Sequence, residues 1–494
     1  MKLEALFRGI PVLDSVHWDP ERKVNKITSD SRAIEAGDLF VACAGARMDG
    51  HDFIQQSTVA GATVVVYQEE LEVPIPRHVV GIRVADTREC LALLLARYYH
   101  HPDQKIKLVG VTGTNGKTTV AYMLYRLLSS KVKCGYIGTL GYDFPGQNMV
   151  AANTTPGIET LLPVLSQMKH DGVQYCFMEV SSHALDQRRV FGLQFELALF
   201  TQLTQDHLDY HHTMERYFQA KRLLFSQQPL PKKVLINRDC VFARRLLDEN
   251  LHAKSFSLDR PADYRGSEIT SVIGGSQFTL ENGGRKHTFG IHLPMRHNVS
   301  NTVAVLAALD LLGFHVDHFK NPLENFAGVP GRLERLSTAD GYEIFVDYAH
   351  TPDAFERVLS GAKDLKPKRI LTLFGCGGDR DQEKRPLMAS VAAQYSNIVV
   401  LTSDNPRSED PDKILRDIRR GIPHAKTGSP VVLEIPDRRE AIEKILSLAE
   451  SGDVVLVLGK GHEDYQILGD KKIPFDDRLV IQECLKGKIR VLSS

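Results

Sequence analysis

Short apolar runs recur along the chain and alternate with segments of helical period. They are four to eight residues long, and examples are KLVGV, CFMEV, LALF, EIFVD, ILTLF and DVVLVL. Uninterrupted runs of this length are typical of strands buried on both faces, as in parallel α/β sheets, whereas a strand with one wet face would alternate. The pattern therefore predicts an α/β protein built mainly from parallel sheet.

The same pattern divides the chain into three domains. Residues 1–102 have a small alternation of their own, with ATVVVY as a strand and CLALLLARYY as a helix that the His101-Pro102 dipeptide ends. After GVPGRLER a fresh strand–helix alternation begins, which predicts a last domain over 331–494. The central domain is then 103–330.

Within the central domain one stretch differs from the rest. Residues 255–295 are rich in Gly, Ser and alternating polar positions, which indicates antiparallel strands with Gly-Gly turns. An apolar helix, VSNTVAVLAALDLLG, follows and is closed by Gly313. The predicted fold class is α/β: a central P-loop-type, mostly parallel sheet, a Rossmann-like C-terminal domain and a small α/β N-terminal domain.

The composition of the chain limits its expected partners and its cellular compartment. Lys+Arg and Asp+Glu both total 61, so no net charge attracts nucleic acid or a membrane surface, and an anionic ligand must be held by local groups. The seven cysteines form no CxxC pair, which favours a reducing compartment. No run approaches the roughly 18 apolar residues of a membrane span, and the start lacks a signal-peptide core. We expect a cytoplasmic protein without membrane insertion.

Polar, Gly-rich clusters follow the predicted strands, at the sheet edge where open α/β sheets bind ligands. The strongest joins the strand KLVGV to the helix VAYMLYRLL. Its backbone N–H groups can face phosphate, Lys117 adds a charge and the Thr118 hydroxyl can bind Mg²⁺, although Val111 replaces the first glycine of the general pattern. The predicted ATP-binding residues here are Gly113, Thr114, Asn115, Gly116, Lys117, Thr118 and Thr119.

A possible metal site comes next along the chain. Glu179 ends the strand FMEV, and His207 follows the strand LALF. On neighbouring strands beside Thr118, a carboxylate and an imidazole can hold one or two divalent ions over a γ-phosphate. Taken alone, His207 is better explained as a hydrogen-bonded structural histidine, and Glu179 and the phosphate loop beside it favour metal binding.

Ten motifs in order give the chain a specific resemblance. GTNGKTT, EVSSHALDQRRV, TQDHLDYH, YFQAKRLLF, HNVSN, GRLE, DYAHTP, GGDRDQEKRP, DNPRSEDP and GKGHEDYQ span almost the whole sequence and resemble the Mur ligase family. The resemblance implies that Lys221 is carbamylated to N6-carboxylysine and binds magnesium. With Lys117, Glu179 and His207 it forms the implied catalytic set. From the pattern alone, Lys221 would be an exposed helix lysine.

The resemblance also implies ligand contacts. Asn298, Arg332, Asp347 and His350 match adenine, phosphate and ribose contacts, although Met295-Arg296-His297 departs from the expected glycine and apolar residue. The Asp30–Arg32 segment and the Gly45–Asp49 turn resemble uridine-diphosphate contacts. The implied UDP-substrate residues are Ser31, Asn153, Thr154, Thr155, Ser181, Gln187 and Arg189. For Arg188-Arg189 a solvated basic pair is the alternative.

The C-terminal motifs imply the added amino acid. In the family, an Asp-Asn-Pro-Arg motif accompanies meso-diaminopimelate, and a guanidinium suits that molecule's second carboxylate while repelling lysine's ammonium. A salt bridge of Arg407 with Glu409 or Asp410 is the alternative. The implied amino-acid-binding residues are Arg385, Asp404, Asn405, Pro406, Arg407, Gly459 and Glu463.

Together these motifs imply an ATP- and Mg²⁺-dependent ligase, expected to be a monomer. It would add meso-diaminopimelate to UDP-N-acetylmuramoyl-L-alanyl-D-glutamate through an acyl phosphate, in peptidoglycan precursor synthesis. Three alternatives stay open. They are a ligase that adds L-lysine, a folylpolyglutamate synthetase, and a P-loop NTPase that only hydrolyses ATP.

Overall fold

The protein is described by a computed structural model, which covers all residues except 46–47, 72, 250–251, 339, 423–428 and 493–494. Its main sheets are five-, eleven- and six-stranded and follow one another along the chain. Parallel pairs dominate the centre of each sheet, so the predicted α/β class is confirmed.

The N-terminal sheet has the order β1-β5-β4-β3-β2, with only the β1–β5 pair antiparallel. Its strands are β1 (Asp14–Val16), β2 (Ile27–Thr28), β3 (Leu39–Val41), β4 (Val64–Tyr67) and β5 (Val80–Arg83). Its helices are α1 (Leu3–Phe7), α2 (Ile54–Ala60) and α3 (Thr87–Tyr98). The Gly45–Asp49 turn lies partly outside the described residues.

The central sheet has the order β16-β15-β14-β13-β12-β11-β6-β10-β7-β8-β9. Its strands are β6 (Lys107–Thr112), β7 (Cys134–Gly138), β8 (Gly141–Phe144), β9 (Gln147–Met149), β10 (Tyr175–Glu179), β11 (Phe195–Phe200), β12 (Val234–Asn237), β13 (Lys254–Ser257), β14 (Tyr264–Val272), β15 (Gly275–Asn282) and β16 (Arg285–Ile291). Strands β14–β16 are the antiparallel segment that the sequence predicts.

The helices of this region cover the sheet on both faces. They are α4 (Lys117–Leu128), α5 (Ile158–His170), α6 (Ser182–Asp186), α7 (Leu208–His211), α8 (Met214–Ser226), α9 (Val241–Glu249), α10 (Arg296–Leu311) and α11 (Lys320–Glu324). Helix α10 is followed by Gly313 with φ +94°, as the sequence predicts.

The C-terminal sheet has the order β17-β18-β22-β19-β20-β21 and is parallel except for β17–β18. Its strands are β17 (Glu334–Ser337), β18 (Glu343–Asp347), β19 (Ile370–Phe374), β20 (Ile398–Leu401), β21 (Val431–Glu434) and β22 (Val454–Leu458), followed by a hairpin of β23 (Tyr465–Leu468) and β24 (Lys471–Pro474). The helices are α12 (Pro352–Asp364), α13 (Lys384–Tyr395), α14 (Pro411–Arg419), α15 (Arg438–Leu448) and α16 (Asp477–Leu492).

The continuous apolar runs occupy the strands that the pattern predicts. Strands β10, β19, β20 and β22 are buried at every residue, because helices cover both faces of their sheets. The polar side chains of the predicted site therefore lie mostly at the strand ends and in the loops beyond them, and those loops meet between the domains. No helix in the described ranges has the length and apolarity to cross a bilayer.

Met295 connects the central region to the C-terminal core. It lies just before α10 with φ +76°, a backbone region that favours glycine, yet its side chain is only 2% exposed. It belongs to the same buried cluster as Phe345 and Phe355 of the C-terminal domain. Gly361 of α12 leaves room for it, since a Cβ there would be 2.9 Å from the Met295 sulfur.

We expect Gly361→Ala to lower the free energy of unfolding by about 1–3 kcal/mol, because the added methyl overpacks Met295. In an ordinary helix interior the same change would stabilise by about 1 kcal/mol. Urea unfolding measures the difference. Ser360→Ala, on a partly exposed position of the same helix, is the control and should stay within about 0.5 kcal/mol. Stabilisation by Gly361→Ala would show that Met295 does not fill this space.

Candidate functional site

A phosphate-binding loop joins β6 to α4. Gly113 and Gly116 have φ +145° and +86°, and a Cβ at Gly113 would meet the Thr201 hydroxyl oxygen at 1.9 Å. Helix α4 begins at Lys117, so the N–H groups of its first turn face the loop. The loop is therefore shaped to surround an anion with backbone donors.

Two lysines meet at this loop. Lys117 Nζ donates to the carbonyl oxygens of Gly113 and Thr114, both at 2.9 Å, and Lys221 Nζ also donates to Gly113 O at 2.9 Å. Lys221 is 1% exposed, so the exposed lysine favoured by the pattern alone is wrong. Burial, and then the charge of Lys117, hold the pKa of Lys221 well below its usual value. A neutral amine at this position is nucleophilic.

Glu179, at the end of β10, is fully buried beside the loop. One carboxylate oxygen accepts from the Tyr136 hydroxyl and the Thr139 N–H, both at 2.8 Å, and the other accepts from the Thr118 hydroxyl at 2.8 Å. Octahedral Mg²⁺ with ligands at about 2.1 Å places neighbouring oxygens about 3 Å apart. The Thr118 and Glu179 oxygens fit that spacing.

His207 lies across the loop from Glu179. The prediction that Glu179 and His207 follow directly neighbouring strands is wrong, because β6 lies between β10 and β11. The ring of His207 is 4.8 Å from that of His183, its side chain is 43% exposed, and Asp206 is 3.5 Å away. The surrounding protein partly removes the imidazole from water and so lowers the pKa of His207, which keeps the imidazole neutral and able to bind a cation.

A cleft with about 870 Å³ of empty space continues from the loop to the C-terminal domain. Asn298, Arg332, Asp347 and His350 all line it, so the structure brings the predicted nucleotide residues together. Arg332 donates to the Thr118 hydroxyl at 3.1 Å across the two domains. Both oxygens of Asp347 accept from backbone N–H groups, while burial raises its pKa.

The N-terminal side of the loop gathers most of the predicted UDP-substrate residues. Thr155 accepts from the Ser181 N–H and donates to the Glu179 carbonyl. Arg189 donates to the Thr155 carbonyl at 2.9 Å and to Gln187 at 2.7 Å. Thr154 and the exposed Asn153 continue this edge.

The remaining member of that set, Ser31, lies on the N-terminal domain in a short 3-10 turn. Two residues earlier, Ser29 donates to Glu159 of α5 through its hydroxyl at 2.6 Å, which ties this turn to the central domain. Arg188 pairs with Glu89 of α3 at 3.1 Å, so the Arg188-Arg189 dipeptide is engaged rather than solvated.

The predicted amino-acid residues lie beyond β20 and β22, except Arg385, which lies in α13 after β19. Asn405 donates to Glu463 at 2.9 Å and accepts from the buried Lys460 at 3.3 Å. Burial and the neighbouring Asp404 raise the pKa of Glu463. A Cβ at Gly459 would be 2.7 Å from a carboxylate oxygen of Asp404, so the two loops touch here.

Both arginines of this region have defined partners. The Arg407 guanidinium donates to the Gly378 carbonyl at 2.7 Å, and Glu409, its expected alternative partner, is bound by Arg385 instead. Arg385 is fully buried and contacts Glu409 at 2.8 Å and Asp417 at 3.0 Å. Arg407 therefore remains nearer to solvent, while Arg385 is held within the wall.

Several residues of the site are not among those that the sequence motifs predict. Asp353 accepts from Asn115 at 3.1 Å and from Thr204 at 2.9 Å, which links α12 to the phosphate loop. Tyr217 packs under Lys221, whose Nζ is 4.7 Å from the ring centroid. Asp353 directly follows the DYAHTP motif and Tyr217 opens YFQAK, so both adjoin recognised signals. Arg438 offered no such signal, yet its buried side chain bonds the carbonyls of Ser403 and Leu458.

Comparisons with known proteins agree along the chain. Three family descriptions match in succession: "Mur ligase family, catalytic domain" at residues 23–99, "Mur ligase middle domain" at 111–309 and "Mur ligase, glutamate ligase domain" at 331–461. The chain is 42% identical over 475 residues to the UDP-N-acetylmuramoyl-L-alanyl-D-glutamate–2,6-diaminopimelate ligase of Gloeobacter violaceus, with 95% of each chain covered.

Two further similarities span the full length. The ligase of that description, numbered 1, from Clostridium acetobutylicum is 39% identical over 490 residues, covering 98% of this chain and 99% of its own. A solved structure of a UDP-N-acetylmuramoyl-L-alanyl-D-glutamate–2,6-diaminopimelate ligase superimposes with a TM-score of 0.72 at 31% identity, covering 99% of both chains.

We expect the free energy of unfolding to fall as pH decreases from about 6.5 to 4, partly because of His297 in the nucleotide cleft. Burial lowers the pKa of His297 to about 4, with Arg357 adding to the effect. An unfolded imidazole titrates near about 6.5, so below that pH the unfolded chain binds the proton first. In urea unfolding, His297→Gln should remove about 2 kcal/mol of the loss between pH 7 and 4.5.

The matched control for that measurement is His292→Gln, an exposed histidine five positions earlier. It should leave the pH dependence of the unfolding free energy as it is in the unchanged protein. If His297→Gln and His292→Gln gave the same dependence, the assignment to His297 would be wrong.

Proposed function

The chain belongs to the Mur ligase family, and on that premise we propose that it joins meso-2,6-diaminopimelate to UDP-N-acetylmuramoyl-L-alanyl-D-glutamate at the expense of ATP. The observation that carries the choice of amino acid is the loop of Asp404, Asn405, Pro406 and Arg407 beside Glu463. Full-length similarity to ligases that bear this description supports it. The product is a peptidoglycan precursor.

The reaction has two steps and needs no covalent attachment to the protein. The terminal D-glutamate carboxylate attacks the γ-phosphorus of ATP, which forms an acyl phosphate and releases ADP. The amine of diaminopimelate then attacks the acyl carbon, phosphate leaves, and the nitrogen loses a proton. The protein must reduce the repulsion between a carboxylate and a triphosphate, and must hold the amine in line.

Residues of the phosphate loop supply the first requirement. The N–H groups at the start of α4 and the Lys117 ammonium face the phosphates in this proposal. Lys117 must then exchange its bonds to the Gly113 and Thr114 carbonyls for phosphate oxygens. Arg332, which reaches Thr118 from the C-terminal domain, adds positive charge on the opposite side.

Magnesium is proposed to bind among Thr118, Glu179, His207 and carbamylated Lys221. When bound, it would offset negative charge on the phosphates and the attacking carboxylate. The hydroxyl and carboxylate oxygens of Thr118 and Glu179, 2.8 Å apart, support the proposal. The burial of Lys221 and its low pKa support carbamylation, since a free amine adds to CO₂ and becomes an anionic oxygen ligand.

The amino acid is proposed to bind between the Asp404–Arg407 loop and Glu463. Diaminopimelate is a lysine that bears a second carboxylate at its far end. Arg407 suits that carboxylate, and the Glu463 carboxylate suits the ammonium beside it. Lysine would bring an ammonium without a carboxylate to Arg407, so it is disfavoured. Arg385, held by two carboxylates, is proposed to support the pocket as much as to contact the substrate.

Two alternative functions differ from the proposed one, the first in the N-terminal domain and the second in the reaction. A folylpolyglutamate synthetase would have no use for the uridine-binding module that we propose for the N-terminal domain, whose residues 23–99 match a Mur ligase family description. A simple NTPase would hydrolyse ATP without the UDP substrate. We propose a cytoplasmic monomer; the seven cysteines, all unpaired, are consistent with a reducing compartment.

We expect the protein, given ATP, the UDP-linked dipeptide and equal amounts of diaminopimelate and lysine, to form mainly the diaminopimelate product with one ADP per amide. Arg407→Ala should raise KM for diaminopimelate about tenfold or more, since a charged hydrogen bond is lost, with KM for ATP unchanged. Mass spectrometry and ADP release measure both. Arg420→Ala, on an exposed arginine of the same domain, is the control. A preference for lysine, or an unchanged KM in Arg407→Ala, would contradict the proposal.

Lys221→Ala should reduce kcat at least about a hundredfold, because a ligand and a charge are lost at the centre. Short carboxylic acids should restore part of the activity by replacing the carbamate oxygens. Lys221→Arg should be as inactive as Lys221→Ala, because a guanidinium keeps the cation but forms no carbamate. Arg222→Ala, on the next residue of α8, is the control. An active Lys221→Arg protein would refute the carbamate role.

A further inference from the structure

The β23–β24 hairpin forms one wall of the proposed amino-acid pocket. Its strand β23 is joined to the Asp404–Arg407 loop by backbone hydrogen bonds: the Arg407 N–H donates to the Ile467 carbonyl at 3.1 Å, and the Gly469 N–H donates to the Arg407 carbonyl at 2.8 Å. The Ile467 N–H also donates to Asn405 Oδ1 at 3.0 Å. The hairpin and the loop that carries Arg407 are therefore one rigid piece.

Tyr465 is the first residue of β23 and is partly buried. Ammonium groups hold its ring: Lys472 Nζ is 3.7 Å from the ring centroid and the buried Lys460 Nζ is 5.6 Å away. These contacts fix the position of the ring but involve only its face, so they give the hydroxyl no partner. Within the described part of the chain, that hydroxyl makes no hydrogen bond.

The surroundings of Tyr465 are those of the proposed pocket. Burial, with the carboxylate of Glu463, raises the pKa of Tyr465, while Arg407 opposes the shift and Asp404 adds to it. The phenol is thus protonated at neutral pH and able to donate. Arg407 uses one N–H of Nη1 for the Gly378 carbonyl, which leaves its Nε–H and Nη2–H donors for a bound carboxylate. A carboxylate offers about four acceptor sites, so two bonds from Arg407 leave room for a further donor.

We propose that Tyr465 is a further specificity-determining residue, whose hydroxyl donates a hydrogen bond to the same distal carboxylate of diaminopimelate that Arg407 binds. The inference rests on the proposed function and names a second donor for that carboxylate. Three observations support it. The ring of Tyr465 is fixed, its hydroxyl has no partner among the described residues, and backbone hydrogen bonds join the hairpin that carries Tyr465 to Arg407. Lysine has no group at this position for either donor.

Tyr465→Phe tests the inference, because it removes the hydroxyl and keeps the ring between Lys460 and Lys472. We expect KM for diaminopimelate to rise about tenfold, with KM for ATP and the melting temperature unchanged. Tyr395→Phe is the control, because its hydroxyl bonds Glu356 on another face of the same domain. An unchanged KM for diaminopimelate in a Tyr465→Phe protein would overturn the inference and leave the proposed function intact.

A double-mutant cycle with Arg407→Ala tests whether both donors bind one carboxylate. If they do, Tyr465→Phe should cost less in the Arg407→Ala protein, where the carboxylate is no longer held in place. Strict additivity of the two effects on KM would overturn the shared contact. If the unchanged protein formed no diaminopimelate product at all, the proposed function would fail first, and this inference with it.

Discussion

The Gly113 carbonyl oxygen, which accepts from both Lys117 and Lys221, is the point around which the catalytic centre is arranged. Two ammonium groups that share one acceptor are close enough to repel, and no carboxylate bonds either of them directly among the described contacts. Burial is the larger cause of the low pKa of Lys221, which Tyr217 and the loop enclose, and the charge of Lys117 adds to it. The glycine-rich turn thus shapes the phosphate site and also holds, through one carbonyl oxygen, a lysine 108 positions later.

The centre is also completed across domain boundaries. Arg332 and Asp353 come from the C-terminal side and contact Thr118, Asn115 and Thr204 of the central domain. On the other side, Ser29 and Arg188 tie the N-terminal domain to the central one. Three substrates that must meet in one line are therefore approached by three walls. Polar contacts link each outer domain to the central one beside the phosphate loop, and buried apolar side chains also pack across both boundaries.

The fold could be predicted closely because its signals are local. Continuous apolar runs mark β10, β19 and β22, and the Gly-rich turn before Lys117 marks the phosphate loop. The state of Lys221 could not be predicted from pattern, because its side chain is buried against segments far away in the sequence, such as the Gly113 loop that it bonds. The same holds for Arg385, which Glu409 and Asp417 surround, and for the position of β6 between the strands that precede Glu179 and His207. Pairings between distant segments leave no periodic trace.

Met295 has a consequence for the modular character of the chain. Its side chain belongs to the buried cluster of Phe345 and Phe355, although it is encoded before the helix that completes the preceding domain. A fragment that begins after Pro330 would carry a vacant apolar socket beside Gly361. The C-terminal unit is therefore not a freely exchangeable module. A chimera that replaces it must also match the residue at 295. Met295 and Gly361 must therefore change together, although they belong to two different domains.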